Sequence, residues 1–204
     1  MKQVFAVLAF VIGLSGGVAM AVEEPKFRVS IEEGAFEVRD YPALIAAEVD
    51  VGGSRDQASN DGFRLLARYI FGGNTRKESI AMTAPVVQAP VSQNIPMTAP
   101  VIQTGEAGAW TVRFIMPEGS TLQSLPTPND PKVRLVTLAP QRFAVVRFSG
   151  LAGARDVAGR TEELRAFVTK RGLMASGPPA LARYDPPWTL WFMRRNEVMI
   201  PLAA

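Results

Sequence analysis

The order of elements along the chain, which occurs twice, constrains the fold more than any single motif. Residues 36–51 (FEVRDYPALIAAEVDV) are apolar and β-branched with Pro42 in their middle. That pattern predicts two strand pieces broken at Tyr41-Pro42, or an edge strand with a bulge there. Ser54 to Phe71 follows with Phe63, Leu66, Ala67 and Ile70 at helical spacing, and Gly72-Gly73 stops it. Residues 133–150 are strand-like again around Pro140, and Ala154 to Arg171 is helical again, with Leu164, Phe167 and Val168 on one face and Gly172 as its stop. Pro42 to Gly52 and Pro140 to Gly150 span equal lengths.

The closing strands of the first unit are expected in two near-copies of a heptapeptide, Ile80-Ala81-Met82-Thr83-Ala84-Pro85-Val86 and Ile95-Pro96-Met97-Thr98-Ala99-Pro100-Val101, and then in Trp110 to Met116. Those of the second are expected at Leu181 to Tyr184, Leu190 to Arg194 and Glu197 to Leu202. The fold class that follows is α+β, a pseudo-twofold duplicated strand-helix-strand-strand unit. It forms a distorted antiparallel β-barrel with two flanking helices, because a duplicated unit can close its edges on its own copy. One domain is expected over 22–204, with internal halves at about 34–117 and 131–202.

The first 21 residues stand outside this fold. Lys2, the apolar run Val4 to Leu14 and Ala19-Met20-Ala21 have the three parts of a secretory signal peptide, which predicts a mature start at Val22 and a periplasmic or secreted protein with no stable membrane span. An uncleaved anchor is the competing reading; the run is short for one and is broken by Gly13, Gly16 and Gly17. The chain has no Cys and no His. Disulfides and lipidation are thereby excluded, along with most metal sites, Ser-His and Cys-His pairs and the usual proton shuttle. No catalytic residue, no metal site and no enzymatic activity are expected. A formal charge of +3, one unit of which leaves with the signal, and scattered basic residues give no reason to expect a nucleic-acid partner.

Alternation puts Ile80, Met82, Ala84 and Val86 on one strand face, and Thr83 on the other. Met82 and Met97 are readable as soft ligands or as a pliable wall for a flat ligand, but Met at a period-2 position ordinarily fills core space. The prolines mark strand ends or bulges.

Several motifs in order resemble the SOUL family of haem-binding proteins. They are the helix end Phe63-Arg64-Leu65-Leu66-Ala67-Arg68-Tyr69-Ile70-Phe71-Gly72, the two Ile-x-Met-Thr-Ala-Pro-Val segments and Trp110-Thr111-Val112-Arg113-Phe114-Ile115-Met116-Pro117. Leu125-Pro126-Thr127-Pro128, Tyr184-Asp185-Pro186-Pro187 and Arg194-Arg195-Asn196-Glu197-Val198 complete the set.

The resemblance implies a pseudo-twofold barrel that binds haem or a related tetrapyrrole, without catalysis, in an apolar cleft beside the first helix. The protein would serve as a carrier, buffer or scavenger. Carried over by position, the lining residues are Phe63, Leu66, Ala67 and Ile70 on the helix and Tyr184, Pro186 and Pro187 on the loop, with Trp188 added for its size. Arg64 and Arg68 are the nearest cations for haem propionates, although solvated helix-face charges are as good a reading of them. Some members have been thought to use an axial His; here any haem is held without one, by apolar contact, by Arg pairing, or by Tyr or Met on the iron. The Arg194-Arg195 pair beside Glu197 reads better as a charge network pinning the last strand than as a propionate clamp. The alternative function is an effector-sensing or protein-interaction module that binds another apolar small molecule; no protein partner is indicated.

Overall fold

A computed structural model gives the fold for residues 23–90, 108–185 and 188–203. In chain order the elements are β1 (Arg28–Glu33), β2 (Phe36–Tyr41), β3 (Leu44–Val51), α1 (Arg55–Ile70), β4 (Val86–Pro90), β5 (Trp110–Ile115), β6 (Arg134–Leu138), β7 (Gln141–Ser149), α2 (Ala154–Lys170), β8 (Ala180–Arg183), a 3₁₀ turn (Trp191–Met193) and β9 (Arg195–Pro201). All strand pairs are antiparallel, and they build one sheet in the order β1-β2-β7-β9-β8-β4-β5-β3-β6. The sheet curls into a half-barrel with both helices on its convex side, the α+β architecture expected.

The prolines do what the sequence pattern asks of them. Each strand-like run breaks at its proline: β2 ends at Tyr41 before Pro42, and β6 and β7 are separated by Ala139-Pro140. At both breaks the chain leaves one end region of the sheet order and re-enters at the other, β2 to β3 and β6 to β7. A proline has no N–H to give to a ladder, so it suits a crossing where no ladder runs. Among the described residues β1 and β6 do not pair with each other.

Strand alternation sorts the side chains into two layers. On the convex side Val112 and Phe114 of β5 and Ala47 and Val49 of β3 pack with Leu66, Tyr69 and Ile70 of α1. Ala144, Val146 and Phe148 of β7 and Val198 and Ile200 of β9 pack with Val157, Leu164, Phe167 and Val168 of α2. The concave side holds a smaller cluster of Val145, Ala182 and Met199 with Tyr41, Val87, Phe143 and Tyr184 packed on it.

α1 begins with a reciprocal cap: the Gln57 amide N–H donates to Ser54 Oγ at 3.4 Å and Ser54 N–H to Gln57 Oε1 at 3.2 Å. It ends where Gly72 takes φ +100° and Gly73 N–H returns to Arg68 O at 2.8 Å. Between these ends Gly62 lets the helix lie directly on β5. A Cβ there would come within 2.5 Å of Val112 Cγ2 and 2.7 Å of Val112 Cβ, atoms a rotamer change cannot clear together. Gly62→Ala gains about 1 kcal/mol in helix propensity and loses about 2–3 kcal/mol to overpacking. A net destabilisation of about 1–2 kcal/mol is expected, measured as a lower urea midpoint at unchanged slope.

Two expectations are corrected, and one strand is additional to them. The first heptapeptide is not a strand over its length: residues 80–85 form an irregular connection, bridged to Glu23 at Thr83, and β4 starts only at Val86. Pro85 cannot donate to a ladder, and the residues before it are held instead by Ile80 N–H to Ile70 O (2.7 Å), Ala84 N–H to Glu23 O (2.9 Å) and the Thr83 hydroxyl to Ile115 O. Ile80, Met82 and Val86 do pack against the α1 cluster, so Met82 is a core residue. The second copy, with Met97, lies outside the described residues. Leu190 to Arg194 is a loop with a 3₁₀ turn rather than a strand. β1 was not foreseen, because Arg28–Glu33 (RVSIEE) carries only Val29 and Ile31 as apolar alternation on an exposed edge.

Candidate functional site

The sheet divides the residues proposed for one cleft. Leu66 and Ile70 are 0% and 1% exposed beneath α1, where they hold the helix to the sheet. Phe63 is half-buried beside them, its ring edge-on to Phe114 at 5.3 Å. Ala67 is half-buried, and Arg64 and Arg68 are exposed, Arg64 pairing with Asp61 at 3.3 Å. Tyr184 continues the alternation of β8 and so turns to the concave side, away from α1. Trp188 is 84% exposed, and Pro186 and Pro187 lie outside the described residues.

On the concave side the ring of Tyr184 belongs to a buried charge network. Glu197 and Arg39 have fully buried side chains and meet through two hydrogen bonds, Nη1 to Oε2 at 2.8 Å and Nη2 to Oε1 at 3.0 Å. The Tyr184 hydroxyl donates to Glu197 Oε2 at 2.6 Å, and Arg195 donates to Oε1 at 2.9 Å while lying 3.8 Å over the Tyr184 ring. Burial pushes the Glu197 carboxyl up, but the hydrogen bonds from Arg39 and Tyr184 and the neighbouring positive charges outweigh it and hold it below its ordinary value. Burial, and then the charge of Glu197, push the Tyr184 phenol well above its ordinary value. Tyr69 is pushed up to about 12 by burial, and its hydroxyl donates to Pro126 O at 2.9 Å. Both tyrosines considered for iron are thus neutral phenols already engaged inside the protein. The pairing of Arg195 with Glu197 is the strand-pinning network that the sequence indicated. The N-terminal segment lies on this same face: Glu24 accepts from Arg195 at 3.0 Å, and the Phe27 ring lies 4.3 Å from the Arg39 guanidinium.

The segment after Tyr184 is a different surface. Its base is pinched by Tyr184 N–H to Arg195 O (3.2 Å) and Arg195 N–H to Asp185 Oδ2 (2.6 Å). Its tip is shaped by Met193 N–H to Leu190 O (2.9 Å) and Arg194 Nε to Thr189 O (2.8 Å). Apart from the Asp185 carboxylate, these bonds use only backbone and arginine atoms. The large side chains are left outside: Trp188, Leu190, Trp191, Phe192 and Met193 are each more than half exposed. Single exposed apolar residues are ordinary, but five in six consecutive positions mark an interaction surface.

Arginines surround the start of this loop on the α1 side. Arg183, the last residue of β8, donates to Ser59 Oγ of α1 at 2.9 Å and faces Asp56 at 3.6 Å. Arg55 lies 5.0 Å over the Trp110 ring with no carboxylate in ion-pair contact among the described residues. Burial lowers the proton affinity of both, and repulsion between arginines adds to it, Arg183 acting on Arg55 and Arg194 on Arg183. Below them Gln88, 4% exposed, donates to Arg55 O at 2.8 Å while its Oε1 has no partner among the described residues. In this cluster Arg183 is paired with Asp56, while Arg55 meets no carboxylate and Gln88 Oε1 is a buried acceptor left unused among the described residues.

This surface suits a flat apolar molecule with carboxylates: aromatic and thioether side chains for the ring system, guanidiniums for the acid groups. It offers no imidazole, and no group of His, Cys, Asp or Glu able to hold a metal occurs among the described residues. The first turns of α1 bring Arg55 and Ser59 to the Arg183 side of the sheet, residues that carry no signal in the sequence pattern. Trp188 belongs to the loop surface. The apolar run TLWFM after the Pro-Pro pair was the available signal, and its hydrophobicity caused it to be read as a strand.

An α+β half-barrel carrying an apolar, arginine-flanked loop is the class that fold and surface define. Residues 22–201 match the SOUL heme-binding protein family, and the chain belongs to that family. Among curated proteins it is similar to Heme-binding protein 1 of Xenopus laevis, 27% identical over 167 residues that cover 80% of this chain and 82% of the relative. The Xenopus tropicalis protein of the same name is 26% identical over 166 residues, with the same coverage. Among solved structures the EcmrR C-terminal domain aligns with a TM-score of 0.59 at 9% identity, over 82% of this chain and 96% of that one. A hydrolase from Listeria innocua aligns with a TM-score of 0.57 at 15% identity, over 85% and 94%. At these identities the likeness is one of fold alone.

Proposed function

We propose that the protein binds haem or a related tetrapyrrole reversibly on the loop surface beside the first turns of α1. It acts there as a carrier, buffer or scavenger in the cell envelope, with residues 1–21 removed on export. The observation that carries this reading is the run of exposed apolar side chains from Trp188 to Met193 in a loop that begins at Arg183, in a chain of a haem-binding family. The macrocycle would lie against Trp188, Trp191 and Phe192, and its propionates would pair with Arg183 and Arg55. The iron would carry its usual redox and ligand chemistry, but no protein imidazole would hold it.

Binding without a strong iron bond has two measurable consequences. Titration of the chain from Val22 should perturb the Soret band saturably at one site, with a micromolar dissociation constant. Metal-free protoporphyrin should bind within about threefold of haem, because contact area and propionate pairing are common to both. Unsaturable partitioning of haem would overturn the reading. A large preference for haem over the free porphyrin would show an iron ligand and overturn the contact mechanism.

A further inference from the structure

The concave face offers a site separate from the loop. Between the two proline crossings it opens into a cavity of about 270 Å³, with Pro42 and Ala139 at its edge. Leu44, Ile115, Leu138, Phe143 and Met199 are among its apolar lining, and Arg113 is the cation that lines it among the described residues. Well-packed interiors keep few voids larger than a water molecule, so an apolar space of this size wants an occupant. It holds about nine water-sized volumes of about 30 Å³, room for a ligand of roughly a dozen non-hydrogen atoms.

Arg113 fixes the chemistry of that occupant. Its Nε donates to Glu48 Oε2 at 2.7 Å, and the other oxygen of Glu48 is taken by Arg134 Nη2 at 3.0 Å. The two terminal nitrogens of Arg113 have no hydrogen-bond partner among the described residues. A guanidinium anchored through Nε presents its Nη edge to an end-on carboxylate. The side chain is also only 29% exposed, so an acid there is partly shielded from water.

We infer that this cavity binds a compact apolar carboxylic acid, aromatic or branched, with its body among Leu44, Leu138 and Phe143 and its carboxylate on the Nη groups of Arg113. The site lies on the opposite face of the sheet from α1 and does not depend on the haem reading.

The probe is 3-phenylpropionate, titrated calorimetrically into the chain from Val22, with 3-phenylpropanamide as its uncharged counterpart. Saturable one-site binding of the acid is expected, with the amide at least tenfold weaker. Leu138→Trp, which fills the cavity, should abolish binding of the acid and leave the haem titration unchanged. Arg113→Lys, which keeps the charge facing Glu48 but loses the fork, should weaken the acid at least fivefold. Absence of saturation, equal binding of acid and amide, or full binding by folded Leu138→Trp would each overturn the proposal. The acid-to-amide comparison on the unaltered chain decides it even if both variants fail to fold. Loss of haem binding with retention of acid binding would sink the haem reading alone.

Discussion

Glu197→Ala is expected to cost about 3–5 kcal/mol of stability, because it leaves the buried Arg39 guanidinium without its principal counter-charge. Glu37, on the same strand, still accepts from Arg39 Nε at 2.6 Å, which keeps the loss from growing further. Tyr184 loses the acceptor of its hydroxyl in the same step. The paired replacement Arg39→Met with Glu197→Leu removes both charges and should recover most of the loss, since a buried ion pair is worth little more than apolar residues of its size. Urea denaturation of Arg39→Met, of Glu197→Leu and of the double variant measures this as a coupling energy. Additive losses would show that the two side chains do not act as a pair.

The same network sets a pH dependence. The Glu197 carboxyl is held below its ordinary value of 4.5 in the folded protein. A group with a lowered folded value binds more protons in the unfolded chain, so its contribution is complete above about pH 4.5 and is lost as pH falls through the folded value. Unfolding midpoints between pH 7 and pH 3 should therefore fall less steeply for Glu197→Gln than for the natural chain. Parallel slopes would exclude this carboxyl as a source of acid sensitivity.

The second large effect concerns the loop. Replacing Trp188, Leu190, Trp191 and Phe192 together by serine should raise the dissociation constant for haem by about 30- to 100-fold, the equivalent of about one to two large side chains covered by the ligand. Stability should change little, because these side chains project into solvent and the loop is shaped by bonds that serine leaves intact. Unchanged affinity would remove the loop from the binding surface. By contrast, Leu66→Asp would put a charge at a position with no exposure under α1 and would report on folding instead of on a ligand.

The strand breaks at Pro42 and Pro140, both helices with their glycine stops, and the final pairing of Arg195 with Glu197 were legible in the sequence, since each follows from local periodicity or from a residue with a fixed conformational preference. β1 was not, because an exposed edge strand needs no continuous apolar face. The heptapeptide misled by resembling an alternating strand, when Pro85 and the buried Thr83 hydroxyl bind it to its neighbours by other means. Most instructive is the helix face Phe63, Leu66, Ala67 and Ile70. Periodicity identifies a face that meets something apolar, but it cannot say whether that is a ligand or the protein's own sheet. Here Val112 and Phe114 meet it. The loop residues failed in the opposite sense, since an apolar run reads as buried whether or not the chain has room to bury it.

The crossings at Pro42 and Pro140 have a kinetic consequence. Phe36 of β2 stands opposite Val146 of β7, and Leu44 of β3 opposite Leu138 of β6, so the strands on either side of each crossing are completed by strands from the far part of the chain. Each half can pair its own inner strands, β3-β5-β4 in the first and β7-β9-β8 in the second, under its own helix, but β2, β3 and β4 each keep one ladder edge open for a strand of the other half. Closing those long-range pairs costs chain entropy before they stabilise anything, which slows the final step of assembly. A chain emerging from a ribosome or a translocon would hold the open edge of β2 until β7 arrives.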